Sequence, residues 1–319
     1  MSQPAAPPFD AAPVLRLAWD ARTGAAQATG TAACLLGGQW GPAGERVARG
    51  TFAEWRWDGV RLEARTDPFG FQPLFWAERD GTLWLSPSIP AMVAAGAPTA
   101  LDDAALAVFL RLGTFLDADT PFRAIRAAPP GARISWTAGR LTVDGTRPRP
   151  AAHALSRDAA IDAYVELFRA ATLADAVASE RTTVPLTGGR DSRHILLELV
   201  AGGRAPARAL TVCPAPPKSD DDLRIAALVA GALGVPHVVL PTTVARHADE
   251  LTKNHATSFG AFEHYWEVPI VRWLAEHAGP RPVVFDGIGG DTLSEAKYMS
   301  PQRLALLREG ALERYAAEE

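Results

Sequence analysis

The chain has 319 residues, 48% of them hydrophobic and 21% charged, with a formal net charge of −4. That mixture is enough to bury a substantial core and implies two domains. It offers no cationic block for nucleic acid or an anionic membrane, and no apolar run reaches the length of a membrane span. The opening "MSQPAAPPFDAAP" has neither a basic region nor the apolar core of a secretion signal, so the expected location is the cytoplasm. Cys34 and Cys213 are the two cysteines. They lie far apart with no metal-ligand spacing, which reads as reduced, structural thiols.

In chain order, "RLEARTD", "PLFWAER" and "TLWLSPS" alternate or cluster apolar and aromatic residues, and Asp80-Gly81 between the last two suits a tight hairpin turn. A helical stretch, "DDAALAVFLRLG", follows, and "APPGARISWTAGRLTV" predicts a second hairpin. The proline-bearing "DGTRPRPAAHALS" has no periodicity and reads as a linker. Residues 1–148 are therefore expected to form an antiparallel, β-rich domain.

Beyond the linker the period becomes helical. Ser156 is placed to cap a helix in which Ile161, Tyr164, Val165 and Phe168 recur at the spacing of a buried stripe. Strand and helix patterns then alternate: "TTVPL", "SRHILLELV", "RALTVC", "SDDDLRIAALVAGALG", "HVVLP", "EVPIVRWLAEHAG" and "PVVFDG". Such alternation predicts an α/β domain with a doubly wound parallel sheet over residues 149–319.

Ligands of such sheets bind beyond the carboxyl ends of the strands, and two glycine-rich segments are expected there. In "PLTGGRDS", Gly188 and Gly189 admit an anion to the backbone N–H groups, and the following helix N-terminus adds a favourable dipole. In "VVFDGIGGD", Asp286, Gly287, Gly289, Gly290 and Asp291 make a second close-approach turn flanked by carboxylates. A phosphate group and Mg²⁺, which takes one or two carboxylates plus phosphate oxygens, would suit the pair. Either segment alone also serves as an ordinary turn. The first follows neither the Walker pattern nor that of a dinucleotide fold.

Together the two segments resemble those of the asparagine synthetase family. "LTGGRDSR" is similar to its pyrophosphate loop, with Thr187 where serine is common, and "FDGIGGD" is similar to its second loop, about a hundred residues later. The intervening "SDDDLRIAALVAGALGVPHVVL" resembles the family's acidic cluster, helix and strand. Upstream, "DPFGFQPLFW" and "APPGARISW" resemble stretches of its N-terminal glutamine-amidotransferase-like domain. The resemblance implies a ligase that binds ATP and Mg²⁺, adenylates a small-molecule or peptide carboxylate and lets an amine attack. It further implies that Thr187, Gly188, Gly189 and Ser192 cradle the phosphates, with Asp286, Gly287 and Gly289 in the opposing loop. By the same resemblance Leu186 and Val212 lie near the adenine, and Asp191 and Asp291 hold the metal.

The departures from the family pattern narrow this. Ser2 stands where active glutaminase domains carry cysteine, and few residues precede "DPFG", so the first domain reads as a degenerate scaffold without glutaminase activity. An amine other than glutamine-derived ammonia is implied, as in the related β-lactam synthetases and lasso-peptide cyclases. Ile288 and Thr292 replace acidic residues of the second loop, which puts aspartate as the substrate in doubt. Relatives continue well beyond this loop and supply a lysine from there, so the second domain reads as C-terminally truncated, with Lys297 the nearest substitute. Arg190 and Arg193 beside the first loop are read as an extra anion contact or as surface charges. His255, Glu263, His264 and Glu267 are read as substrate contacts or as a half-exposed helix face. Three functions stay open: the ligase, with catalytic residues unassigned; a non-catalytic homologue that binds nucleotide or a partner protein; and an RNA-modifying relative, against which the acidic composition speaks.

Overall fold

The computed structural model describes residues 12–40, 49–145, 154–174, 179–213, 221–242, 246–260, 264–279, 282–290 and 300–317. The chain forms two compact units, Met1–His153 with Arg246–Tyr265 and Ala154–Ala245 with Trp266–Glu319. Of the linker expected at residues 144–156, residues 146–153 lie outside the described residues.

Among the described residues the first unit carries ten strands: β1 (Leu15–Asp20), β2 (Ala25–Gly30), β3 (Ala33–Trp40), β4 (Arg49–Trp57), β5 (Arg61–Thr66), β6 (Phe75–Arg79), β7 (Thr82–Ser86), β8 (Ile125–Ala127), β9 (Arg133–Thr137) and β10 (Arg140–Asp144). They pair antiparallel in two sheets ordered β2-β1-β7-β6-β8 and β10-β9-β5-β4-β3. Both expected hairpins are present. Asp80 and Gly81 take φ of 50° and 72°, and Ala138 and Gly139 take 49° and 74°, the doubly positive turn that matches strand twist.

Alternation in the strands decides what the sheets bury. In β5, Leu62 and Ala64 point inward while Arg61, Glu63 and Arg65 face out, where Arg61 pairs with Glu63 at 3.2 Å. The inward faces share one core: Leu15, Leu17, Leu83 and Leu85 from one sheet meet Trp55, Leu62, Ile134 and Trp136 from the other. Helix α1 (Ile89–Ala94) adds a second cluster, packing Ile89 and Met92 with Phe75, Trp84 and Ile125. Helix α2 (Asp103–Leu112) starts where the Asp102 carboxylate accepts the Ala105 N–H and stops at Gly113, φ 74°.

The loop after β5 is built on Asp67, which is fully buried. Its Oδ1 accepts the N–H groups of Phe69 (3.0 Å) and Phe71 (3.1 Å), and its Oδ2 those of Phe52 (3.3 Å) and Gln72 (2.9 Å). The Asp67 carbonyl accepts from Gly131 at 2.8 Å, and Gly70, φ 69°, lies against Pro130. "DPFG" and "PPG", distant in sequence, are thus one packed turn.

In the second unit, Ser156 caps α3 (Arg157–Thr172) as expected, accepting the Ala159 N–H at 3.2 Å. The expected burial of its stripe is not found. Ile161 is 46% and Tyr164 43% exposed, and Thr172 is the buried residue among those described. The helix meets α4 (Arg190–Ala201) through the Phe168–His194 stack, 4.2 Å between centroids, and the Arg169–Glu198 ion pair at 2.9 Å. Periodicity marked an apolar side but not whether a neighbour covers it.

Strands β11 (Thr182–Pro185), β12 (Arg208–Cys213), β13 (His237–Pro241) and β14 (Val283–Val284) form a parallel sheet ordered β13-β12-β11-β14. Helices α4 and α5 (Asp221–Ala232) pack Leu196, Leu199, Ala226 and Ala230 on Val184, Leu186 and Ala209. A separate cluster joins Leu210 and Leu240 to Ile270 and Leu274 of α7 (Glu267–His277). The expected α/β class, with an antiparallel β-rich unit and a parallel sheet, is what the chain forms.

Between β13 and α7 runs α6 (Arg246–Ala256), which no sequence pattern announced. It belongs to the first unit, where Ser258, φ 54°, accepts the Ile89 N–H with its hydroxyl at 3.0 Å. Two short helices, α8 (Pro301–Arg308) and α9 (Leu312–Ala317), complete the described chain. No described helix is long and apolar enough to cross a membrane.

Candidate functional site

Strands β11 and β14 are neighbours although about a hundred residues separate them, because β12 and β13 extend the sheet from the opposite side of β11. The switch of direction falls at β11, and the crevice beyond such a point is where doubly wound sheets take ligands. Both glycine-rich loops open there, 186–189 after β11 and 285–290 after β14.

The first loop is set by its own hydroxyls and by neighbouring strands. Leu186 is fully buried; its N–H donates to the Leu210 carbonyl (2.8 Å) and its carbonyl accepts the Thr211 hydroxyl (2.6 Å). Thr211 also contacts Nε2 of His237 at 2.7 Å. With its one proton given to Leu186, the hydroxyl accepts there, so Nε2 of His237 carries hydrogen. Burial holds His237 below the usual histidine range. Further along, Ser192 Oγ accepts the Thr187 N–H (3.1 Å) and Thr187 Oγ1 accepts the Gly189 N–H (3.0 Å). The Gly188 N–H donates to the Asp222 carboxylate (2.8 Å). Helix α4 starts at Gly189 with no side-chain cap, leaving backbone N–H groups at its N-terminus.

The second loop meets this one at Asp191. A Cβ on Gly287 would lie 2.8 Å from the Ser192 nitrogen, and one on Gly290 would lie 2.6 Å from Cγ of Asp191. Only glycine permits that approach. Asp286 holds its own turn, accepting the Ile288 N–H at 2.9 Å, and Gly289, φ 79°, completes it. Thr187, Gly188, Gly189, Asp191 and Ser192 are thereby brought together with Gly287 and Gly290. Leu186 and Val212 sit at adjacent strand ends, but their side chains join different clusters, Leu186 towards α4 and α5 and Val212 towards α7.

Asp291, Thr292, Lys297, Lys218, Glu263 and Ser2 lie outside the described residues. Among the described residues no group of three or more His, Cys, Asp or Glu side chains is placed to hold a metal. The donor that is described, one aspartate at the junction of two loops, fits Mg²⁺, which needs few protein ligands where phosphate oxygens supply the rest. The segment 264–266 is a turn rather than the expected helix face, with His264 at φ 79°. Glu267 then opens α7. Burial pushes its carboxyl up to about 7, the nearby Asp286 charge adds to this, and a hydrogen bond with Trp266 opposes it. That places Glu267 beside the second loop. The Arg193 guanidinium donates to the Gly189 carbonyl at 3.0 Å, so it braces the loop.

Residues 29–146 match the family model of the glutamine amidotransferase domain, and residues 163–312 match that of asparagine synthase. Residues 163–312 are asparagine synthase-like. The two matches follow the order that family resemblance implies, and the asparagine synthase match spans both glycine-rich loops. No curated protein matches the chain. Among solved structures, glutamine phosphoribosylpyrophosphate amidotransferase from B. subtilis, complexed with ADP and GMP, is similar at 13% identity and a TM-score of 0.22. The match covers 60% of this chain and 32% of that one, so this chain spans about a third of that protein's length. A likeness of that score assigns neither fold nor function.

Proposed function

We propose that this asparagine synthase-like chain is an ATP-dependent, AMP-forming amide ligase that works without hydrolysing glutamine. The observation that carries the reading is the convergence of two glycine-rich loops on Asp191, across the crevice between β11 and β14. Thr187, Gly188, Gly189 and Ser192 would face the phosphates of ATP, with Asp286, Gly287 and Gly289 opposite. Leu186 and Val212 would flank the adenine, Leu186 through the second lone pair of its carbonyl. Asp191 and Asp291 would hold Mg²⁺, which supplies charge neutralisation when bound. A substrate carboxylate oxygen attacks the α-phosphorus, the bond to pyrophosphate breaks, an amine then adds to the acyl carbon and AMP leaves. The protein's share is positioning and stabilising charge. Glu267, with a carboxyl that titrates near neutrality, is suited to accept the proton the amine gives up.

The absence of glutaminase chemistry is part of this proposal. Cys34 lies in β3 against the sheet core, and burial pushes its thiol up, the opposite of what an activated nucleophile needs. Residues 1–148 are then a retained scaffold and residues 149–319 the synthetase part. Two thiols outside any disulfide and a need for ATP suit the cytoplasm. Exchange of labelled pyrophosphate into ATP, run over a panel of carboxylates, tests the reading. Magnesium- and carboxylate-dependent exchange without ammonia release from glutamine is expected.

One observation favours a second reading, a non-catalytic homologue that binds nucleotide or a partner protein: each amide from Thr187 to Gly189 already has an internal acceptor. ATP binding with no exchange for any carboxylate would decide for it.

A further inference from the structure

The first loop carries an anion of its own. The Gly188 N–H donates to Oδ1 of Asp222 at 2.8 Å, and Asp222 lies in the first turn of α5, 34 residues away. A Cβ on Gly188 would stand 2.7 Å from that oxygen and 3.2 Å from Cα of Asp222, so the bare glycine is what allows the approach. The flanking amides differ. Those of Thr187 and Gly189 are taken by hydroxyls of the loop itself, which can rotate away and donate to an incoming oxygen. At Gly188 the acceptor is a carboxylate, which cannot donate when ionised and repels another anion.

We propose that Asp222 is an internal competitor for phosphate at Gly188, a latch that an incoming polyanion must displace. The inference rests on the reading of this loop as the nucleotide-phosphate site and deepens it. Three features suit a latch that opens. Asp222 is exposed, so its carboxylate regains water when it lets go. Among the described residues it makes one hydrogen bond to the loop, and Asp221 remains in the same turn of α5, ion-paired with Arg224 at 3.0 Å. Displacement then carries a fixed cost. A ligand with one phosphate contact recovers little of it, whereas pyrophosphate or ATP, reaching several amides at once, recovers more. Asp222 would thereby set a threshold that a polyphosphate clears with its further contacts and a weakly held orthophosphate does not.

Calorimetry on the full chain tests this with inorganic pyrophosphate and with ATP, each with and without magnesium. Asp222→Asn keeps the side chain's shape and removes its charge. It should bind pyrophosphate about tenfold more tightly, the worth of one hydrogen bond to a charged group, and any orthophosphate bound at the Gly188 amide should gain by the same factor. Asp221→Asn makes the same charge change in the same helical turn and should leave affinity unchanged. Equal tightening by both variants would reduce the effect to bulk charge and overturn the latch. Wild-type binding that Asp222→Asn leaves equal or weakens would also overturn it, while the nucleotide reading stands. If neither wild type nor variant binds pyrophosphate or ATP, the nucleotide reading fails and the latch with it.

Discussion

Two loops of this chain are organised by an aspartate that accepts backbone N–H groups, and they differ in what that aspartate is for. Asp67 is fully buried and takes four amides on its two oxygens. Asp222 is exposed and takes one, from a loop far off in sequence. The first carboxylate has no other place to go: removed from its donors, it would be a bare charge in the protein interior. The second gives up one bond and gains water. Saturation and burial mark a permanent fixture of the fold, whereas exposure and a single bond mark a contact that a ligand can replace.

The largest effect should come from breaking the first. Asp67→Ala leaves four N–H groups without their acceptor, two of them from Phe52 and Phe69, and should cost about 3–5 kcal/mol in denaturant unfolding. Asp67→Asn keeps one acceptor oxygen and should cost about half as much. A variant of Asp67 as stable as wild type would remove the distinction between the two loops.

Next comes the junction of the glycine loops. Gly290→Ala puts a methyl group against the Asp191 carboxyl and Gly287→Ala puts one against the Ser192 nitrogen. Each should destabilise by about 1–3 kcal/mol, as overpacking does, and ATP affinity measured by calorimetry should fall with it. Full affinity in both variants would separate the second loop from the site.

The third concerns Glu267. Its folded carboxyl titrates near 7 and its ordinary value is 4.5, so it binds a proton more tightly when folded. The stability this contributes is fully present below about pH 4.5 and is lost as pH rises through about 7. Since the group is only half-buried, about 1–2 kcal/mol is at stake after solvent screening. Thermal melts of Glu267→Gln between pH 4 and 8 should lack that decline and end more stable than wild type at pH 8. The smallest effect is that of Asp222→Asn on folding. It loses one favourable charge in the first turn of α5, worth under about 1 kcal/mol, against its marked effect on pyrophosphate.

The contrast between the aspartates also marks how far the sequence could be read. Local chemistry was legible: Asp80-Gly81 announced its hairpin, Ser156 its helix, and the two glycine loops their places at strand ends. What depends on a partner elsewhere was not. "DPFG" showed a turn, but the role of Asp67 needs Phe52 and Gly131, which only strand pairing brings close. The acidic run before α5 could not reveal that Asp222 reaches Gly188. The stripe of α3 has the right period and insufficient cover. His264 hid a left-handed turn inside what reads as a helix, because nothing in a histidine's neighbours announces a positive φ.

Strand β14 pairs with β11 over two residues, and Phe285 adds one further bond, to the Thr183 carbonyl at 3.0 Å. So short a margin can peel from the sheet without opening its centre, and its amides should trade hydrogen for deuterium well before those of Val184 or Leu210. Half of the proposed nucleotide crevice is therefore hung on the shortest ladder of the sheet among the described residues. A ligand clasped between the loops would be felt first as slower exchange along that margin.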